Sequence, residues 1–587
     1  MWLPEKWPVG LEFGKSAYFD EIHGKIICIL GEESHDEKVR VELDGKEKSV
    51  RDWKESGSKE VYELCCAEDE VLKDILRELL KECFEIWRLS ELRQAGLSYI
   101  VRYVDEYDHK KRVGKSEDEA KASAERAAIL ASYTRLTHSA GVLYLGDTAL
   151  REVSVVAGGP FKKLREFLEE SKYGGSEDGI MLLREFMLAL FLHDIGHFPF
   201  SHILESSSGF EKFGLNDKVV GVDLILGGNF CHVLEEIVRT VAQECCDVPS
   251  KMVYEILGKY EKDNVICRNC IAALIYPEAK VPSCHCAYRD KPIFKALQDL
   301  TSSLVDLDRL DHYLRDDHYL KLGVLGEGVM KLIKSIKIDP KTWGVYLEED
   351  DIPTAIQLLV AKEVIWLSQL DTDRIRFCES VLNRAVDALI EDCGFTVFDI
   401  MFLTDKLLNS VLIDYEDKSD WVRLCNEILD PTNGSSRDRI RRMTAFYITK
   451  ADIPQERLKS VCEGDEFNGF INELKGRYPK AVDMKLYYWH GKYTQSPWIN
   501  IPIRTRKGDV VVLNDIPRHH TLCHGIRHEE EYGRQITRIF LLAPKLELLD
   551  PQEVRRYSEM IYDLEGYLKE RLPSAIWGYG EVQWGGV

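Results

Sequence analysis

Between Ile180 and Ile195 the chain is more apolar than anywhere else along its length, yet Arg184, Glu185, His193 and Asp194 interrupt the run. A membrane span would have to bury all four in hydrocarbon, so the run is expected to be a core helix. The residues that follow are the informative part. Phe191-Leu192-His193-Asp194-Ile195-Gly196-His197-Phe198-Pro199-Phe200-Ser201-His202 places three histidines and one aspartate within ten residues, and Gly196 and Pro199 then break the helix. A helix that is hydrophobic until its last turn carries His193 and Asp194 from the core to the edge of a cavity. There an imidazole nitrogen beside a carboxylate oxygen suits a divalent ion of the Mn, Mg, Fe or Zn type.

Two adjacent ligands do not make a site, and two other helical stretches offer partners. Arg135-Leu136-Thr137-His138-Ser139-Ala140-Gly141-Val142 places His138 at the start of an apolar helix, with Arg135 one turn away on the same face. Val305 to Asp316 supplies Asp306, Asp308, Asp311 and Asp316 in a helical context. Each of these polar residues, taken alone, is more often a satisfied core group or a helix cap than a ligand.

Around this segment the fold class reads as mainly α. Apolar residues recur every three or four positions from Glu68 to about Leu97, again between Arg126 and Leu320, and from Pro353 to about Leu412. Strand patterns are confined to the two ends. Near the N-terminus, Lys25 to Leu30 and Val39 to Leu43 precede an Asp44-Gly45 turn, the signature of a small β-hairpin. Lys485 to Trp489, Val510 to Leu513 and Arg538 to Leu542 read as strands, and Pro551 to Leu572 as a closing helix. Tyr103 to Arg126 is densely charged and reads as a solvated insertion. At 587 residues the chain is long enough for several folding units. Its net charge of −22 argues against a protein that coats long duplex nucleic acid. Sixteen Cys and a first segment without an apolar leader point to a reduced, cytoplasmic protein.

The order His138, His193-Asp194, Asp308 resembles the H…HD…D signature of the HD-domain metal-dependent phosphohydrolases. Further blocks resemble their deoxynucleoside triphosphate triphosphohydrolase branch: Asp20 to Gly24, Arg88 to Gly96, Arg135 to Ser139, His193 to His202 and Asp306 to Asp316. The resemblance implies that His138, His193, Asp194 and Asp308 hold the metal, and that His197 and His202 line the phosphate site. His232 falls where the branch has a further acid/base histidine. It implies phosphate contacts for Arg135 and Arg309, a pocket acid at Asp316 and a sugar 3′-hydroxyl contact for Gln94. His312 stands where the branch usually has Tyr, and Lys362 where it has Arg. The reaction implied is hydrolysis of deoxynucleoside triphosphates to deoxynucleoside and inorganic triphosphate. A homo-oligomer and a nucleotide activator would accompany it.

In the same terms, residues 1–83 are an N-terminal hairpin and helical lead-in, and 84–320 the HD core with its charged insertion near 102–128. Residues 321–420 complete the substrate pocket, and 421–587 form an α+β regulatory or oligomerisation domain. The chain departs from the branch at Lys362 to Trp366 and Leu370 to Asp373, where a Tyr-x-His-Lys cluster is usual. That departure leaves two other readings open: a phosphodiesterase or nuclease acting on single-stranded or cyclic nucleotides, and a nucleotide sensor without turnover.

Weaker signals lie elsewhere. Cys267, Cys270, Cys284 and Cys286 are spaced either for a structural zinc or as loop thiols. Arg437, Arg439, Arg441 and Arg442, with Arg504, Arg506 and Lys507, read as a solvated basic face, or as a regulatory nucleotide site or subunit contact. His519, His520, His524 and His528 read as a polar loop or a second metal site.

Overall fold

The structure is a computed structural model. It describes residues 69–432 apart from 228–250 and the short stretches 95–96, 131–132, 157–160, 171–175, 280, 303–305, 320–322, 326–327, 340–343 and 366–371. Outside that span it describes 17–20, 25–28, 40–43, 46–49, 60–63, 443–449, 457, 460–462, 464–478, 485–492, 501–513, 516, 535–542, 551–572 and 576–579.

The fold is mainly α. The helices that build and support the site are α1 (Glu70–Glu82), α2 (Phe84–Glu91), α3 (Ser98–Arg112), α4 (Glu117–Leu130), α5 (Arg135–Glu152), α6 (Ser176–Leu192), α7 (Asp217–Leu226), α8 (Arg268–Ile275), α9 (Pro292–Ser302), α10 (Leu307–Tyr319), α11 (Ile352–Ile365), α12 (Asp373–Asp392) and α13 (Asp405–Asp414). At the centre α5 packs against both α6 and α10. Every residue of α5 from His138 to Leu150 is buried, as expected for a helix surrounded by others. Its start is fixed by Thr134, whose side chain accepts the Thr137 amide at 3.4 Å. The C-terminal half of α6, Phe186 to Leu192, is fully buried as well.

Two glycines let these elements close up. A Cβ at Gly141 on α5 would overlap the Asp311 carboxylate and the Arg315 guanidinium of α10. One at Gly196, just after α6, would overlap the Asp217 carbonyl and the Gly221 amide of α7. Side chains larger than hydrogen at either position would push apart the elements that carry the site.

The charged stretch 102–128 folds as the helical hairpin α3–α4, with a small core of its own made of Tyr103, Tyr107, Ala120 and Ala124. The N-terminal hairpin pairs Arg40–Leu43 with Lys46–Ser49, so that Leu43 faces Lys46 across the two-residue link Asp44-Gly45. A separate sheet joins Ala17–Asp20, Lys25–Cys28 and Glu60–Glu63.

Helical periodicity dominates 126–320, but the segment also contributes short strands. Ser154–Val155 and Lys162–Lys163 enter a six-stranded mixed sheet with Lys337–Ile338, Val345–Glu348, Pro502–Arg504 and Val510–Val512. Two-residue strands are too short to carry an alternating pattern, which is why periodicity did not reveal them. In this sheet Ile503 lies beside Leu347 in parallel register, so a strand from the last quarter of the chain is tied to the helical core. Arg504 is part of that tie: it pairs with Asp339 at 3.0 Å and donates to the Tyr346 hydroxyl at 2.8 Å. Arg506 pairs with Asp350 at 2.6 Å. An antiparallel sheet of Lys485–Lys492, Gln535–Leu542, Met443–Thr449 and Ile576–Tyr579 lies against α12. The remaining basic run, Arg437 to Arg442, and His519 to His528 lie outside the described residues. No helix among the described residues is long and apolar enough to cross a membrane.

Candidate metal centre

Three helices deliver one cluster. His138 comes from the first turn of α5, His193 and Asp194 from the turn that ends α6, and Asp308 from the first turn of α10. The His138 and His193 Nε2 atoms are 3.2 Å apart. Asp308 Oδ1 lies 2.9 Å from the first and 3.4 Å from the second. Asp194 Oδ1 is 3.3 Å from His193 Nε2, and its Oδ2 is 3.8 Å from His138 Nε2. Neighbouring ligands held about 2.0–2.2 Å from one ion are about 3.0–3.4 Å apart. His138, His193 and Asp194 form one group of convergent donors, and Asp308 forms a second with His138 and His312, within 3.4 Å of both imidazoles.

The far sides of the imidazoles explain why the donors face inward. His138 Nδ1 donates to Asp311 Oδ2 at 2.7 Å, and His193 Nδ1 donates to the Leu190 carbonyl at 2.8 Å. Each bond fixes a ring proton on Nδ1 and points Nε2 towards the cluster, the usual arrangement behind metal-bound histidine. Asp311 is completely buried and is itself held by Arg315.

Charges around the cluster are balanced locally. Burial opposes ionisation of Asp194, but Arg135 at 2.7 Å, with His193 and His197, holds its carboxyl well below the usual carboxylate range. Burial likewise opposes charge on His193, yet the Asp194 and Asp308 carboxylates lift it to about 10. Such a centre exchanges protons for a cation of higher charge. Arg135 is 1% exposed and also donates from Nε to Ser201 Oγ at 3.2 Å.

Beside these donors His197 Nε2 approaches Asp194 Oδ1 at 2.9 Å and Asp217 Oδ2 at 3.3 Å. Burial and the nearby Arg135 push its pKa below the ordinary histidine value. His202 stands at the rim with its side chain 62% exposed and its Nδ1 2.9 Å from Glu205. His197, His202, Glu205 and Asp217 therefore form a second group of convergent donors, joined to the first through Asp194.

The loop that carries these histidines is strained and anchored. Phe200 and Ser201 both have left-handed backbone, with φ of 55° and 64°. The Phe200 amide is captured by Asp405 at 2.7 Å. Arg88, fully buried on α2, donates to the Ile195 carbonyl at 2.7 Å and to the His197 carbonyl, and burial lowers its pKa to about 10.

On the other side Gln94 donates its amide to the His312 ring, and His312 Nε2 lies 3.5 Å from Asp308. Asp316 accepts from the Tyr133 hydroxyl at 2.8 Å. Arg309 pairs with Asp306 at 2.9 Å and is partly exposed. Lys362 lies in the last turn of α11, which packs against α10. His232 lies outside the described residues. Sequence reasoning gave no role to Asp311, Arg88, Asp217, Glu205 or Asp405. Only Asp311 carried a usable signal, its three-residue spacing from Asp308 on one helical face.

No family model matches the chain, and no curated protein does. Among solved structures it is similar to a phosphohydrolase from Bacteroides thetaiotaomicron, with 14% identity and a TM-score of 0.44 over 80% of this chain and 95% of that one. It is also similar to a hypothetical protein from Aquifex aeolicus, with 14% identity and a TM-score of 0.44 over 84% of this chain and 95% of that one.

Proposed function

We propose that the chain is a metal-dependent phosphohydrolase whose substrates are deoxynucleoside triphosphates, cleaved to deoxynucleoside and inorganic triphosphate. One observation carries the reading: N and O donors from three helices gather around the paired His138 and His193 rings, Asp194 in one convergent group and Asp308 in another that shares His138, with both histidines oriented from behind. A divalent ion held by His138, His193, Asp194 and Asp308 would lower the pKa of a bound water and screen charge on a phosphoryl oxygen.

The chain's own groups supply the rest. Arg135 keeps Asp194 ionised and adds positive charge where a phosphate would gather negative charge. His202, backed by Glu205, presents its Nε2 edge at the rim, where it can give a proton to a leaving alkoxide. His197, held between Asp194 and Asp217, fixes the floor between them. Gln94 and His312 form a polar pair beside Asp308, suited to a sugar hydroxyl.

Incubation of the purified protein with each deoxynucleoside triphosphate and Mn²⁺ or Mg²⁺ should release inorganic triphosphate. Diphosphate as the sole phosphate product, or no product with any metal or nucleotide activator, would sink the proposal. A second reading, a phosphodiesterase or nuclease acting on single-stranded or cyclic nucleotides, is favoured by the acidic Asp371 and Asp373 where the resembled branch has a basic cluster. Metal-dependent breakdown of a labelled oligonucleotide, with the triphosphates left intact, would select it.

A further inference from the structure

Helix α6 carries a second constellation about two turns before His193. There Glu185, fully buried, accepts the Cys267 amide at 2.8 Å and the Tyr288 hydroxyl at 2.6 Å. Around this anchor the sulfurs of Cys267, Cys270, Cys284 and Cys286 all lie within 4.8 Å of one another, with Cys270 and Cys284 at 3.5 Å. We propose that these four cysteines bind a structural zinc ion that clamps the segment 276–291 onto α6 and α8.

Size and chemistry both favour zinc. Sulfurs bound about 2.3 Å from a tetrahedral ion are about 3.8 Å apart, within the range seen here. Disulfide sulfurs would be about 2.05 Å apart, and none of the four cysteines is in a disulfide. Four soft thiolates select zinc over the hard Mg or Mn ions that suit carboxylates. Nor does the cluster leave an open side for substrate chemistry, since all four donors come from the protein.

Local structure prepares the site. Cys267 is the cap residue before α8 and Cys270 lies in its first turn, so the helix start orients two sulfurs together. The other two come from 281–286, which has neither helix nor strand. Arg289 donates to Cys284 Sγ at 3.5 Å, placing a cation beside the thiolates. A segment without regular backbone bonding is where a metal crosslink contributes most to folding. The zinc would be bound whether or not the His/Asp centre hydrolyses anything.

The test uses the full chain carrying both His193→Ala and Asp194→Ala, which breaks the cluster around His138; His197, His202, Glu205 and Asp217 remain, so only zinc that is lost with Cys270→Ser counts for the proposal. Elemental analysis should find about one zinc per folded chain in this background, retained on adding Cys286→His and lost on adding Cys270→Ser. Cobalt loading should give intense thiolate-to-cobalt charge transfer, absent with Cys270→Ser. A folded double variant that takes up no zinc, a cobalt spectrum lacking that band, or two disulfides found by mass spectrometry would overturn the proposal. If Cys270→Ser fails to fold, the cobalt spectrum of the double variant alone decides.

Discussion

Helix α6 serves two clusters of unlike construction. The His/Asp cluster at its end draws donors from positions 138, 193, 194 and 308, with the two histidines aimed by partners behind them, and borders the exposed His202 through His197. The cysteine cluster around Glu185 draws all four donors from the twenty residues 267–286 and has sulfur on every side. The first exists only if three distant helices dock correctly, whereas the second needs only one helix start and one loop. Closed sets of four protein ligands belong to structural sites, and an open side with mixed N and O donors belongs to chemistry.

The comparison is most sharply tested by Asp194→Ala. Asp194 touches Arg135, His193 and His197 at once, so its loss should take hydrolysis to the background rate while the cysteine cluster keeps its metal. Steady-state assays paired with elemental analysis read both halves. Loss of metal from both clusters would mean that the two are a single structural unit.

Next in size is Asp311→Asn, which weakens the acceptor behind His138 without touching a donor in the cluster. Loss of such an orienting group typically costs about 10–100-fold in metal affinity or activity. Metal titration against rate measures it. An unchanged affinity would show that α5 docking alone aims the imidazole.

These two residues also mark how far the sequence could be read. His138, His193 and Asp194 stood out because charged or metal-binding side chains are anomalous on otherwise apolar helices, whereas Asp308, on a densely charged helix, was singled out only by the family resemblance. Asp311 did not stand out, because Asp306, Asp308, Asp311 and Asp316 share one short stretch, and which of them faces α5 depends on the docking that Gly141 permits. Arg88 was invisible as an anchor because its partners are backbone carbonyls more than a hundred residues away. The hairpin at Asp44-Gly45 was legible from its turn chemistry, and the six-stranded sheet was not, since its strands of two to four residues gather from three separate parts of the chain.

Arg88→Lys tests the shared frame instead of either cluster. The guanidinium fork reaches the Ile195 and His197 carbonyls together, and a lysine ammonium cannot keep that geometry. One lost charge-assisted hydrogen bond corresponds to about 2 kcal/mol of stability. A lowered melting temperature with a shifted His197 should follow, and unchanged melting would place the anchor elsewhere, for instance in Asp405.

The smallest expected effect concerns Glu85, beside Arg88 but away from either cluster. Its carboxyl is completely buried, bonded to Cys83 and to the Val253 amide, with one oxygen left without a hydrogen bond. Burial raises its pKa above the usual 4.5, against the pull of those bonds and of Arg88. The folded state therefore holds this proton at pH values where the unfolded chain has released it. With more protons bound in the folded state, stability falls as pH rises from about 4.5 towards the raised value, and below that window the contribution is fully present. Glu85→Gln cannot titrate, so the stability difference between wild type and variant should shift in the variant's favour across that window, as read by urea unfolding at a series of pH values. A difference that stays constant with pH would mean that Glu85 is already ionised in the fold, with Arg88 as its counter-charge, and Arg88 would then be shared between this carboxylate and the turn that carries His193 and Asp194.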